Sequence, residues 1–327
     1  MQEAGAEIGR RALRELEALV GVSSPSGDVH GAEECAAVCA ALAPDEAQIE
    51  RIPCSSPGHA PDLVATVRGT GAKRVLLLGH LDTVVAHGDH RPLARDGDKL
   101  VGSGSVDMKG GVVLSIGVMH ALARRPEAFG ELALLLVCDE EWRTGSIAHV
   151  GRFGDFDACL CFEGGDRTRD GHDGVVVRRK AAGTIRVTAH GRAAHSGSAP
   201  DRGRNALLAL AAAAQAVSAR HDPAGEHRLT AVPTVLRSGD AFNVVPGTGE
   251  LFCDCRADEL EAIEGVLDAI PADVGGVALD PQLIPVTVDG LGPRGGAAHN
   301  PDEYVLAESL PARAQVALAV IAAALAT

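Results

Sequence analysis

Aromatic side chains are scarce in this chain, and so is positive charge. Its 327 residues include one Trp, one Tyr and six Phe, whereas 46% are hydrophobic, so Ala, Val and Leu must fill the core. The formal net charge is −14. Such an acidic chain is a poor partner for nucleic acid or an anionic membrane, because both carry negative charge. These numbers favour an acidic soluble enzyme, long enough for two domains.

Long apolar runs and paired cysteine motifs are also missing. Residues 1–14 are charged and amphipathic, without the apolar core of a signal peptide. The longest apolar run, Val316–Ala326, is too short to span a bilayer. The eight cysteines form no C-x-x-C pair. We therefore expect a cytoplasmic protein with buried, reduced thiols and no membrane segment.

Short apolar segments alternate with helical ones in the first half of the chain. The strand-like segments are Val75–Gly79, Leu132–Val137 and Ala158–Phe162. Gly111–Ala123 has the pattern of a helix. This alternation predicts an α/β domain with a mixed, largely parallel sheet flanked by helices. Ligands gather beyond the carboxyl ends of such strands, where His80, the acidic triplet 139–141 and Glu163 stand.

A change of composition at Gly171–Gly174 indicates a second domain. The segments that follow read as strand, helix, strand, strand and helix, an order that fits a small sheet with helices on one face. We therefore predict a first domain made of residues 1–173 and 283–327, interrupted by an α+β domain at residues 174–282.

Histidine and carboxylate side chains recur along the chain in an order that suits a metal site. They are His80 and Asp82, Asp107 in a Gly-rich stretch, Asp139–Glu141, Glu163 in CFEGG, and His299 in AAHNPDEYV. Imidazole nitrogen and carboxylate oxygen both suit Zn²⁺. The order and the wording of these motifs resemble the M20 family of metallopeptidases. That family includes glutamate carboxypeptidases, acetylornithine and succinyl-diaminopimelate deacylases, and some dipeptidases.

The resemblance implies a role for each residue of the metal site. The metal ligands would be His80, Asp107, Glu141, Glu163 and His299, with Asp107 shared by two cations. These would be two Zn²⁺ per subunit, with Co²⁺ or Mn²⁺ as substitutes. Asp82 would orient the ring of His80, and Glu140 would act as the general base.

The segment GRAAHSGSAPDRGRNAL resembles the lid motif of the glutamate carboxypeptidase-like branch, so the inserted domain would be a lid and dimerisation domain. By this resemblance, His195 reaches an active site, often across a dimer, and stabilises an oxyanion. Asn243 and Arg256 match lid positions that bind the carboxylate of the substrate, which the planar guanidinium of Arg suits. We expect a homodimer through the lid, with the helix Asn205–Arg220 at the contact.

The resemblance covers nearly the whole chain and departs from the family at one place. Relatives carry a further strand, helix and Gly-rich loop between the positions of Arg256 and His299, whereas this chain is shorter there. We expect a hydrolase of an amide or peptide bond in a small peptide or N-acyl amino acid with a free carboxylate. The alternatives are a biosynthetic deacylase of the acetylornithine or carrier-bound lysine type, and a non-catalytic metal-binding relative.

Overall fold

The computed structural model describes residues 1–174, 176, 180–286 and 290–326. It divides the chain into a first unit, Met1–Val177 with Val288–Thr327, and a second unit, Arg178–Thr287. The helices are α1 (Gln2–Val20), α2 (Val29–Leu42), α3 (Gly110–Ala123), α4 (Val150–Phe153), α5 (Ala206–Ser218), α6 (Leu260–Leu267) and α7 (Ser309–Ala326). The strands of the first unit are β1 (Gln48–Ile52), β2 (Asp62–Arg68), β3 (Arg74–His80), β4 (Ala94–Asp96), β5 (Lys99–Val101), β6 (Glu131–Val137), β7 (Ala158–Cys161), β15 (Gly295–Gly296) and β16 (Tyr304–Leu306). Those of the second unit are β8 (Ala181–His190), β9 (Ala194–His195), β10 (Thr230–Ser238), β11 (Val244–Val245), β12 (Thr248–Ala257), β13 (Asp273–Val274) and β14 (Val277–Val286).

The main sheet of the first unit has the order β1-β2-β6-β3-β7. The pairs β6–β3 and β3–β7 are parallel, whereas β2 is antiparallel to both β1 and β6, so β2 runs against the other four strands. Helices α1, α2, α3 and α7 contribute to the large core cluster on one face, and Phe153 of α4 packs with the smaller cluster on the other. The predicted mixed α/β sheet with flanking helices is confirmed. Burial on both faces explains the continuous apolar strands.

A second, smaller sheet of the first unit connects distant parts of the chain. Its order is β15-β16-β5-β4, with antiparallel pairing throughout. The pairing of β16 with β5 brings the segment after residue 290 beside the loop that leads from β5 to α3. This sheet therefore assembles sequence motifs that lie about 200 residues apart, a separation that local patterning does not reveal.

The second unit is an antiparallel sheet with the order β10-β12-β8-β14-β13. Alternate residues of β8 and β12 are buried in one cluster with α5 and α6, so both helices cover the same face of the sheet. The chain also forms a two-stranded ribbon of β9 and β11 in this unit. The predicted α+β character of the inserted segment agrees with this arrangement.

Strand β14 lies outside what the sequence pattern predicted. It pairs with β8 as far as Val286, so residues 283–286 belong to the second unit. The predicted boundary had assigned these residues to the first domain. The strand contains Pro281 and Pro285, residues that are depleted in strands. Proline is tolerated where the strand faces the open side of a sheet, and among the described strands only the two-residue β13 pairs with β14 on that side.

Helix α7 is longer than the apolar run predicted at the end of the chain. Ser105–Ala123 and Ser309–Ala326 are both long and apolar enough to cross a membrane by length and composition alone, and the first is 78% buried. The prediction that the apolar segment at the end of the chain is too short to span a bilayer is therefore wrong for the length of the whole helix. The charged residue inside α7 is Arg313, which is buried and donates to the backbone carbonyl oxygens of Gly290 and Gly292. Helix α7 packs against α1 and α3. The core helices of soluble proteins can also be this long and apolar.

Gly111, in the first turn of α3, allows this helix to approach the end of β7. A Cβ atom at this position would lie 1.8 Å from the carbonyl oxygen of Phe162. No side chain fits that space without moving the backbone. The close contact holds the start of α3, and hence the segment before it, against the residue that precedes Glu163.

We predict that Gly111→Ala destabilises the protein by about 1–3 kcal/mol or more, the usual cost of overpacking a core. The matched control is Gly151→Ala in α4, since a Cβ at Gly151 meets nothing within 4 Å. The control should be neutral or slightly stabilising, because alanine favours the helix. Urea unfolding midpoints of both variants measure the difference; equal midpoints would contradict the packing argument.

Candidate metal centre

The five predicted metal ligands come from separate segments of the first unit. His80 ends β3, Glu141 follows β6, and Glu163 follows β7, so three of them leave the sheet at the carboxyl ends of parallel neighbours. Asp107 lies in the distorted helical segment before α3, and His299 lies between β15 and β16. The parallel strands and the small sheet thus bring all five to one place.

Asp107 stands at the centre of this group. Its Oδ1 atom lies 3.0 Å from His80 Nε2, and its Oδ2 atom lies 3.0 Å from His299 Nε2. Glu163 Oε1 lies 3.5 Å from the same nitrogen of His80, and Glu141 Oε2 lies 3.3 Å from that of His299. The side chains form two groups of three that share Asp107, with the ligand atoms of each group within 4.8 Å of one another. A shared carboxylate is suited to hold two cations close together.

Asp82 orients both His80 and the turn that carries the two glutamates. His80 Nδ1 lies 2.9 Å from the backbone carbonyl oxygen of Asp82 and 3.5 Å from its carboxylate. With its Nδ1 proton donated there, His80 presents Nε2 to Asp107, and loss of the Nε2 proton would free a lone pair for a cation. The Asp82 carboxylate accepts hydrogen bonds from the backbone N–H groups of Glu140 and Glu141, each at 3.1 Å. The ring is thus held mainly by the backbone of Asp82, and the glutamate turn by its side chain.

The electrostatics of the group favour bound cations. Burial raises the pKa of Glu163 to about 8; the charges of Asp107, Glu140 and Glu141 act in the same direction, and His80 opposes them. Hydrogen bonds to Asp107 and Glu141 raise the pKa of His299 to about 10. Protons thus balance part of the negative charge, and divalent cations bind such groups by displacing protons. Two imidazoles and three carboxylates in two overlapping groups fit two zinc-like ions.

Glu140 belongs to the same centre without joining either ligand group. Its charge is one of the smaller contributions that raise the pKa of His80 and of Glu163. The side chain is half-buried, and the hydrogen bond from its N–H group to Asp82 holds its backbone. Adjacent Glu140 and Glu141 therefore have different surroundings, as their predicted roles require.

Glu303 is a site residue to which the sequence pattern gave no role. Its buried carboxylate accepts hydrogen bonds from the N–H groups of Gly104, Val106 and Asp107, at 3.1, 2.6 and 2.7 Å. Burial raises the pKa of Glu303 to about 7, while these hydrogen bonds oppose the increase. The loop that carries Asp107 is therefore fixed by a residue four positions after His299. The sequence feature that could have identified Glu303 is its position in the closing motif, four residues after His299.

His195 and Asn243 lie together in the second unit. Ribbon strands β9 and β11 pair His195 with Val244, and the N–H of Ser196 donates to the carbonyl oxygen of Asn243 at 3.0 Å. His195 Nδ1 accepts hydrogen bonds from the N–H groups of Gly197 and Ser198 at 3.1 and 3.2 Å. The proton of a neutral His195 ring is therefore on Nε2, which suits a hydrogen-bond donor on an exposed loop.

Arg256 lies far from those two residues within the same unit. It stands on β12 opposite Ala182, whereas the other end of β12 begins at Thr248 beside the ribbon of β9 and β11. Eight residue steps separate Thr248 from Arg256, which is about 26 Å along a strand. Arg256 is exposed and forms an ion pair with Asp254 at 3.1 Å. The second unit thus does not bring Arg256 and Asn243 into one pocket.

Known proteins resemble this chain in sequence and in fold. Carboxypeptidase G2 from Pseudomonas sp. (strain RS-16) is 26% identical over 275 residues, which cover 79% of this chain and 62% of that protein. Succinyl-diaminopimelate desuccinylase from Methylobacterium nodulans is 32% identical over 235 residues, 65% of this chain and 58% of that enzyme. The chain therefore spans about three fifths of the length of these curated relatives.

The fold is shared with solved structures. An M20 family metallo-carboxypeptidase from Sulfolobus solfataricus superimposes with a TM-score of 0.66 at 14% identity, covering 97% of this chain and 99% of that one. Residues 76–323 match the model of peptidase family M20/M25/M40, a range that contains all ten predicted site residues. The family resemblance predicted from the motifs is confirmed, and the chain belongs to peptidase family M20/M25/M40.

Proposed function

We propose that the chain is a metal-dependent hydrolase that cleaves an amide or peptide bond in a small substrate with a free carboxylate, as a glutamate carboxypeptidase does. The main support is the position of Asp107 between His80 and His299, with one carboxylate oxygen on each ring. In this proposal the two ligand groups hold two Zn²⁺ per chain, with Co²⁺ or Mn²⁺ as substitutes. Such cations polarise a carbonyl group and lower the pKa of water.

Glu140 is the general base in this proposal. Its carboxylate accepts a proton from the attacking water and delivers it to the leaving nitrogen. The N–H groups of Glu140 and Glu141 are both anchored on Asp82, so the base and the neighbouring ligand keep a fixed relation to His80. The position of Glu140 directly before Glu141, with both backbone N–H groups bound to Asp82, supports this assignment.

Two alternatives remain for the activity. The similarity to succinyl-diaminopimelate desuccinylase supports a biosynthetic deacylase, whose substrate is an N-acyl amino acid. A non-catalytic metal-binding relative is motivated by the short segment between Arg256 and His299. The placement of Glu140 beside the ligand groups argues against that relative, because metal binding alone needs no general base.

The second unit supplies the substrate-binding groups in this proposal. His195 donates from Nε2 to the developing oxyanion, and Asn243 and Arg256, each from a different copy of the chain, bind a carboxylate of the substrate. Because about 26 Å of strand separates Arg256 from the end of β12 that lies near His195, one small substrate cannot contact both ends of the sheet. We infer that the two ends serve active sites in different copies of the chain, which requires a homodimer.

We predict that Glu140→Gln lowers turnover by about two to four decades and leaves the metal content unchanged. Glu141→Gln is the matched variant, one residue away, and should lose about one metal equivalent per chain. Metal analysis and a panel of N-acyl amino acids and dipeptides test both variants against the wild type. Metal without turnover in the wild type would support the non-catalytic alternative, and loss of metal from Glu140→Gln would refute its role as base.

We predict a homodimer formed by the exposed face of α5 and the edge strand β10. Leu207 and Leu208 of α5, and Val232 and Leu236 of β10, are exposed apolar residues. Leu208→Glu should shift the protein from dimer to monomer in sedimentation velocity at micromolar concentration, because a charge on that face opposes its burial. The control is Val150→Glu, an equally exposed apolar residue of the first unit. A wild-type monomer would exclude the dimer.

We predict that Arg256→Lys impairs hydrolysis of a carboxylate substrate almost as much as Arg256→Ala, because an ammonium group cannot form the paired hydrogen bonds of a guanidinium. The loss should become smaller when the carboxylate of the substrate is replaced by an amide. The control is Asp254→Asn, which breaks the ion pair of Arg256 and leaves the guanidinium in place. Equal losses on acid and amide would show that Arg256 only stabilises the second unit.

A further inference from the structure

The loop Cys138–His149 carries Glu140 and Glu141 but contains neither helix nor strand. It begins where β6 ends and stops where α4 begins. Its backbone N–H groups therefore lack the regular partners that a helix or sheet provides, and buried ones need acceptors from side chains. Asp82 supplies acceptors for Glu140 and Glu141, which fixes only the third and fourth residues of the loop.

Asp62 holds both ends of this loop. Its Oδ1 atom accepts a hydrogen bond from the N–H of Cys138 at 2.9 Å, and its Oδ2 atom lies 2.7 Å from His149 Nε2. Asp62 is the first residue of β2 and is fully buried, and His149 is also buried. One carboxylate thus closes a loop of twelve residues by binding its first and last residues.

Two serines from the neighbouring segment complete the attachment. Ser56 Oγ accepts from the N–H of Thr144 at 2.9 Å and donates to the carboxylate of Asp139 at 2.7 Å. Ser55 Oγ accepts from the N–H of Ala148 at 3.0 Å. The segment before β2 therefore holds the loop at successive points from Asp139 to Ala148.

We propose that Asp62 is a positioning residue for the reaction: it fixes both ends of the loop, so that Glu140 and Glu141 keep their places beside His80 and Asp107. This inference rests on the proposed function for its effect on turnover. A displacement of about 1 Å in a catalytic group is enough to cost a hundredfold in rate. The hydrogen bonds that the structure shows for Asp62 go to Cys138 and His149, so Asp62 acts through the two ends of the loop.

A metal ion is a competing explanation for the buried carboxylates. The ligand atoms of Cys54, Asp62 and Asp139 lie within 4.8 Å of one another. Both carboxylates, however, already accept hydrogen bonds, Asp62 from Cys138 and His149, and Asp139 from Ser56. Burial raises the pKa of the Cys54 thiol, which keeps it neutral. Hydrogen bonds therefore account for this cluster without a third cation.

The test uses Asp62→Ala, which leaves two buried donors without an acceptor. We expect kcat to fall about tenfold to a hundredfold while KM changes less than about threefold. Trp142 is the single tryptophan of the chain and lies in the loop, so its fluorescence emission should shift in the same variant. The kcat of Asp62→Asn should stay within about threefold of the wild-type value. The asparagine oxygen can accept from the N–H of Cys138, and the asparagine amide can donate to the other tautomer of His149.

The control is His120→Ala, which removes another histidine hydrogen bond, from Nε2 to the carbonyl oxygen of Leu42 at 2.9 Å, away from the loop. It should leave kcat and Trp142 emission unchanged. If Asp62→Ala fails to fold, His149→Ala removes one hydrogen bond of the loop, Ser56→Ala removes two, and each variant should shift the emission. A folded Asp62→Ala protein with wild-type kcat and emission overturns the proposal, as does the loss of a third metal equivalent. The emission test holds even if the wild type hydrolyses no substrate.

Discussion

The sharing of Asp107 between His80 and His299 is the constraint on which the rest of the first unit depends. Each oxygen of this carboxylate faces a different ring at 3.0 Å, so a small rotation of the side chain would spoil both contacts. The rings come from segments more than two hundred residues apart. The parallel strands fix one ring, the small sheet of β15, β16, β5 and β4 fixes the other, and Glu303 fixes the loop of Asp107 between them.

The carboxylates of the first unit have two distinct roles, which differ in the groups that each carboxylate contacts. Asp107, Glu141 and Glu163 face imidazoles and one another, which concentrates negative charge that cations would relieve. Asp82 and Glu303 instead accept backbone N–H groups of the loops that carry these ligands. A hydrogen bond to an ionised acceptor is roughly twice as strong as a neutral one. The loops near the site thus gain rigidity that helices and strands provide elsewhere.

The predicted ligand set followed from local motifs, whereas its supports did not. His80, Glu141 and Glu163 stand directly after apolar strands, so their convergence at the edge of the sheet could be predicted. Glu303 and Asp62 act on backbone groups 196 and 76 residues away, respectively, and although the closing motif points to Glu303, it does not show which backbone groups Glu303 binds. Strand β14 was missed because its prolines resemble those of a loop. In each case the feature depends on tertiary pairing, which the local sequence pattern does not show.

The second unit separates its polar groups in a way that its sequence order conceals. Asn243 and Arg256 are only thirteen positions apart, yet the intervening strand β12 runs the full length of the sheet and carries them to opposite ends. His195 joins Asn243 because the ribbon of β9 and β11 folds back at that end. A rigid antiparallel sheet cannot bend to close this gap. Under the proposed function, substrate contacts at the two ends therefore belong to two different active sites, one of them in another copy of the chain.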